Sequence, residues 1–113
     1  MKVRIIPSSE FNRCFKRLAK KYKSLPTDYF TLSEELKQNP FLGISLGGGV
    51  RKVRMAIGSK GKGRSGSARV LTLNVLVSGD ADVTLLTIYD KEEISNVSNK
   101  YIKWLVSEAT SSH

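Results

Sequence analysis

The sequence predicts an α+β fold with the element order β-α-α-β-β-β-α. Three observations carry that reading. Apolar residues in the N-terminal third recur at helical spacing. From Val50 onward the apolar period changes to two. The links between the later strands are short, which favours an antiparallel meander over crossovers. Helices kept apart from a mostly antiparallel sheet define the α+β class.

Met1–Pro7 reads as a short strand, with Val3 and Ile5 on one face and Pro7 ending it. Ser8 or Ser9 can cap the helix that follows. Across residues 9–23, Phe11, Phe15, Leu18 and Tyr22 form an apolar stripe, with Cys14 and Ala19 beside it. Arg13, Lys16, Arg17, Lys20 and Lys21 fall largely elsewhere on the wheel. The Phe stripe reads as core, and Cys14 as a small buried hydrophobe for which no partner base can be named. Ser24-Leu25-Pro26 breaks this helix. A second one is expected over Asp28–Lys37, capped by Ser24 or Thr27, with Phe30, Leu32 and Leu36 available for burial. Asn39-Pro40 stops it, and Gly43–Gly49 reads as a flexible turn region.

In the next strand Val53, Met55 and Ile57 share one face, and Lys52, Arg54 and Ala56 the other. A Gly- and Lys-rich loop, Gly58–Ser67, follows. Ala68–Val77 is apolar on both faces and reads as a central strand covered on both sides. Ser78-Gly79-Asp80 makes a turn into a further buried strand, Val83–Tyr89. Asp90 or Ser95 can cap a last helix carrying Ile94, Val97, Tyr101, Trp104 and Leu105 at helical spacing. Thr110–His113 is expected to fray. The whole chain, 1–113, reads as one domain, without internal repeats.

The chain has 113 residues and a formal net charge of +9. With 40% hydrophobic residues it can bury an ordinary core without staples. A lone cysteine, Cys14, excludes an internal disulfide, and a lone histidine, His113, sits at the end of the chain. Cys/His zinc sites and His-based catalytic triads are therefore not expected, and no cofactor is implied. No apolar run approaches the ~20 residues of a membrane helix, so a cytoplasmic protein without membrane contact is expected.

The layout of charge says more than its sum. No acid occurs between Glu35 and Asp80, a stretch that carries Lys37, Arg51, Lys52, Arg54, Lys60, Lys62, Arg64 and Arg69. Such one-sidedness attracts polyanions, a nucleic acid or an acidic protein; the plainer alternative is a solvated surface. Gly61 to Gly66 matches G-x-G-x-x-G literally, and Gly58 to Ser65 nearly matches a P-loop. Both motifs need a helix after the glycines, and here a strand follows, so both are rejected. The loop keeps a simpler reading. Lys60, Lys62 and Arg64 alternate with glycines that let the backbone approach a phosphate chain closely.

Arg51-Lys52-Val53-Arg54, the block GSKGKGRSGSARVL (Gly58–Leu71) and Ile88-Tyr89-Asp90-Lys91-Glu92-Glu93 carry a resemblance. Together with the element order, they resemble the RelE/ParE toxin superfamily of bacterial type II toxin–antitoxin systems, and within it the RelE/HigB-type toxins. The resemblance implies two N-terminal helices packed on one face of the sheet. It implies metal-independent cleavage of mRNA, at the ribosome or free, by attack of the 2′-hydroxyl on the adjacent phosphate. Such a reaction needs a base, positive charge at the phosphorus and an acid for the leaving oxygen. By the same resemblance Lys52 and Arg54 form the basic pair of the cleft. Arg69 holds the scissile phosphate, and Lys91 is a second phosphate stabiliser or proton donor. Lys60, Lys62 and Arg64 grip RNA, and Tyr89 stacks a base or donates its hydroxyl, unless it is merely core. A tyrosine that RelE carries six residues after the basic residue is Val97 here.

Strict alternation puts Arg69 in line with Leu71, Leu73 and Val75, so it reaches a cleft only at the mouth of the strand or beside a bulge. A toxin of this type implies an acidic antitoxin, expected to carry a helix-turn-helix part. Two other functions fit the same fold: a ParE-like gyrase inhibitor without chemistry, and a non-catalytic RNA-binding module. Against the latter, the central strands lack surface Phe or Tyr for base stacking.

Overall fold

The computed structural model describes residues 1–60 and 66–111. Strand β1 (Val3–Pro7) ends where Pro7 withdraws its donor, and Ser8 turns the chain into helix α1 (Ser9–Lys21). The Ser8 hydroxyl caps that helix by accepting from the Phe11 amide at 3.1 Å. Phe11 and Leu18 of the expected stripe point into the core with the flanking Cys14, while Phe15 and Tyr22 pack against it only partly buried.

Helix α2 (Leu25–Gln38) starts three residues before the expected Asp28. Pro26 does not break it but sits in the first turn, where a missing N–H costs nothing. The earlier start rotates the buried face. Leu25, Leu32 and Leu36 are buried, whereas Phe30, expected in the core, is 65% exposed. Tyr29 takes the inward position and packs on Phe11 and Phe15.

A strand not expected from the sequence, β2 (Ile44–Gly47), occupies the presumed flexible turn and pairs antiparallel with β3 (Val50–Ala56). Ile44 and Leu46 alternate with Ser45 and Gly47, but the segment is only four residues long, sits among glycines and buries none of its side chains. Backbone geometry makes it instead. Gly43, at φ +96°, crosses so close to the Lys52 carbonyl that a Cβ there would collide with it.

β3 leads through one 3-10 turn (Gly58–Lys60) toward β4 (Ser67–Val77), which hairpins into β5 (Asp80–Asp90). The sheet order is β1-β5-β4-β3-β2, with β1 parallel to β5 and the remaining pairs antiparallel. β4 is the central strand, as its two-sided apolar run implies, but the expected cover on both sides stops short of its end, where Val75, Leu76 and Val77 are exposed because the sheet runs on past the helices. Helix α3 (Asn99–Ser111) begins well after Asp90 and Ser95; Ser98 provides the cap, its hydroxyl accepting from the Tyr101 amide.

Each sheet face carries its own core. Val53, Met55, Val70, Val83 and Leu85 pack against α1 and α2. Val50, Leu71, Leu73, Leu86 and Tyr89 pack under Leu105 of α3. A register shift lets β5 serve both faces: Leu71 pairs with Thr87 but Thr72 pairs with Leu85, leaving Leu86 as the extra residue of a bulge.

Candidate functional site

The site grows out of strand register. Arg54 of β3 pairs with Arg69 of β4, and Arg69 pairs with Tyr89 of β5. Cross-strand partners share a face, so both guanidinium groups and the phenol form one transverse row. Lys52 lies one pleat away on the same face. This is the face that carries α3, but α3 does not cover the whole of it. Leu71, next along, is fully buried, while Arg69 is half-buried and Arg54 and Ala56 are exposed. Arg69 therefore follows the apolar alternation of β4 and still meets solvent, because it stands at the strand's mouth. The β5 bulge lies further along and is not what exposes it.

Arg69 is held from beneath. Its Nη1 donates to the Ser67 hydroxyl at 2.6 Å and to the Ala68 carbonyl at 3.3 Å. Lys91 follows β5 in an exposed turn, and its amide donates to the Ser67 carbonyl, which brings it to the same end of the ladder. Among the described residues, none of Lys52, Arg54, Arg69 or Lys91 forms a salt bridge. Four cations thus meet one end of the sheet without internal neutralisation. Burial pushes the Tyr89 phenol above its ordinary pKa, and the Arg69 charge offsets this only in part. Tyr89 is 3% exposed and belongs to the core beneath α3, the plainer of the two readings its position in the sequence allowed.

Lys60 departs from expectation. It does not stand free in a basic loop. Its side chain is 8% exposed and pairs with Asp90 at 2.9 Å and Glu92 at 2.6 Å, acids distant in sequence. The ammonium also lies over the Tyr22 ring, and the Tyr22 hydroxyl donates to Asp90 at 2.5 Å. Burial pulls the Asp90 carboxyl upward, yet the hydrogen bonds from Tyr22, Lys60 and the Glu92 amide hold it below the usual carboxylate range. Burial likewise works against the Lys60 charge, and the bonds to Glu92 and Asp90 more than offset it. Lys60 is an anchor on the opposite face of the sheet, locking the end of β5 to α1. The expected loop cations Lys62 and Arg64 lie outside the described residues.

Beside the row a cleft of about 650 Å³ opens between the β2–β3 turn and α3. Lys52 and Tyr89 belong to it, together with Asn96, Asn99 and Lys103. Sequence reasoning missed these last three. They are polar residues at ordinary surface positions, and only the docking of α3 brings them to the sheet. The described residues hold no cluster of three or more His, Cys, Asp or Glu side chains that could hold a metal ion. Among them no helix is long and apolar enough to cross a membrane.

Residues 10–113 match the family model of the RelE toxin of the RelE/RelB toxin–antitoxin system. The match runs from the first turn of α1 through α3 and includes the whole cationic row. With nearly the entire chain matched, this protein belongs to the RelE family, the toxin side of a toxin–antitoxin system.

Proposed function

We propose that the chain is a metal-independent endoribonuclease that cuts mRNA at the ribosome and so stops translation. The observation that carries this reading is the Arg54–Arg69 pair with Lys52 and Lys91 beside it, reaching solvent and without salt-bridge partners among the described residues, while Tyr89 at the end of the row is buried beneath α3. In the reaction the ribose 2′-oxygen bonds to the adjacent phosphorus and the 5′-oxygen leaves, giving a cyclic phosphate and a 5′-hydroxyl. Negative charge builds on the non-bridging oxygens. Arg54 and Arg69 neutralise it, and Arg69 does so from a seat preset by Ser67. Lys52, one pleat away, orients the 2′-hydroxyl, whose proton passes to solvent as the new P–O bond forms. Lys91 delivers a proton to the leaving oxygen. No histidine is needed for any of these steps.

An unrestrained enzyme of this kind would poison its own cytoplasm. Its partner is an acidic antitoxin segment that neutralises the cationic face, joined to a helix-turn-helix part. The test is expression followed by primer-extension mapping of cellular mRNA ends. New ends inside translated frames support the reading. Arg54→Ala or Arg69→Ala should slow cleavage by about 10²–10³-fold, the scale for losing one transition-state donor. Full cutting by the double variant, or a DNA-damage response with translation intact, would reject it, and the latter would favour gyrase inhibition.

A further inference from the structure

We propose that the cleft between the β2–β3 turn and α3 is a base-recognition subsite, in which Asn96 and Asn99 read an unpaired nucleobase next to the scissile phosphate. The inference rests on the nuclease reading for the identity of the polymer. Its geometry is independent of it.

The cleft is continuous with the cationic row, since Lys52 and Tyr89 border both. A nucleotide whose phosphate meets Arg54 and Arg69 therefore has its base within reach of the cleft. The walls suit the flat faces of a base: Val50 comes from the sheet, and Ile102 and Val106 from α3. The rim suits its edges. Asn96 and Asn99 each offer two donors and one acceptor, the combination that distinguishes one base edge from another. Neither side chain hydrogen-bonds elsewhere among the described residues, so both amides are free to bind. Lys103 stands at the same rim, exposed and without a salt-bridge partner among the described residues, and meets the phosphate on the far side of the base. Gly47 and Gly48 form the outer lip at φ +91° and +61°, and nothing within 4 Å would meet a side chain added to either. That lip leaves room for a ligand to enter. An apolar slot bordered by cations and paired amides has the charge and shape of a single-stranded nucleotide.

The experiment compares the intact protein with Asn96→Ala/Asn99→Ala. Both positions are exposed, so the fold is expected to stand. Cleavage sites are mapped across many messages, and the base preference around each cut is scored. The expected result is that preference at one position beside the cut falls about tenfold, the scale of losing bidentate base contacts. Unchanged preference in a variant that still cuts overturns the subsite and leaves the nuclease reading intact. If the intact protein cuts no RNA at all, the nuclease reading fails, and binding decides the cleft. In that arm the side-chain amide signals of Asn96 and Asn99 are followed by NMR on adding a short single-stranded oligoribonucleotide. Selective shifts of these signals support the base site. Shifts only on adding an acidic peptide overturn it in favour of a protein-docking groove.

Discussion

Replacing Lys60 by methionine tests the back-side anchor most directly. The change removes a cation held 2.9 Å from Asp90 and 2.6 Å from Glu92, in a seat where Asp90 is 1% exposed. Methionine keeps similar length and its contact with the Tyr22 ring. Asp90 is left with the Tyr22 hydroxyl and the Glu92 amide as its donors. Removing one partner of a fully buried pair costs about 3–5 kcal/mol. Here Glu92 is 47% exposed and admits water at the rim. The expected loss is therefore about 2–3 kcal/mol, or about 8–12 °C in Tm for a chain of this size.

The pH dependence has a definite sign. The lowered Asp90 pKa stabilises the fold above the usual carboxyl range and loses its contribution as pH falls through the lowered value. The raised Lys60 pKa stabilises below the ordinary lysine value of about 10.4 and loses its contribution as pH rises beyond it. The stability gap between the parent and Lys60→Met should be flat between about pH 5 and pH 10 and shrink on both sides. Urea unfolding followed by circular dichroism measures it. Lys60→Met/Asp90→Asn should recover part of the loss, because the orphaned charge is gone. A gap under about 1 kcal/mol at pH 7, or one that persists unchanged into acid, would refute the reasoning.

Other outcomes follow from the same structure. Phe30→Ala should change stability by less than about 0.5 kcal/mol, whereas Leu32→Ala should cost about 2–5 kcal/mol; urea midpoints compare them, and equal costs would contradict the placement of α2. Burial and the bond to Glu10 push the Tyr101 phenol up to about 12, although its bond with Thr87 opposes this. A raised pKa stabilises below the ordinary tyrosine value and is lost as pH rises through the folded one. The parent should therefore lose stability more steeply than Tyr101→Phe between pH 10 and about 12, read by alkaline unfolding. Similar slopes would show that this bond does not tie α3 to α1.

Much of this molecule was legible in the residues alone. The stripe of Phe11, Phe15, Leu18 and Tyr22, with Cys14 beside it, specifies α1, because only a helix puts those side chains on one face. Alternation in β3 separates Val53 and Met55 from Lys52 and Arg54 with the same necessity, and the two-sided apolar run of β4 places it at the sheet's centre. These are local rules, and periodicity expresses them without knowledge of partners. What required tertiary structure was everything set by pairing across distance. β2 exists through backbone bonds to β3 and buries none of its side chains, and its alternation, Ile44 and Leu46, is too short and too glycine-flanked to mark a strand. The site depends on register, since a slip of one residue would turn Arg69 away from Arg54 and Tyr89. Lys60 looked unopposed because its acids lie about thirty residues further on, and only the return of β5 brings them to it. A charge's neighbours in the chain do not determine its neighbours in space, and in this protein that difference separates a structural anchor from the cations that face solvent.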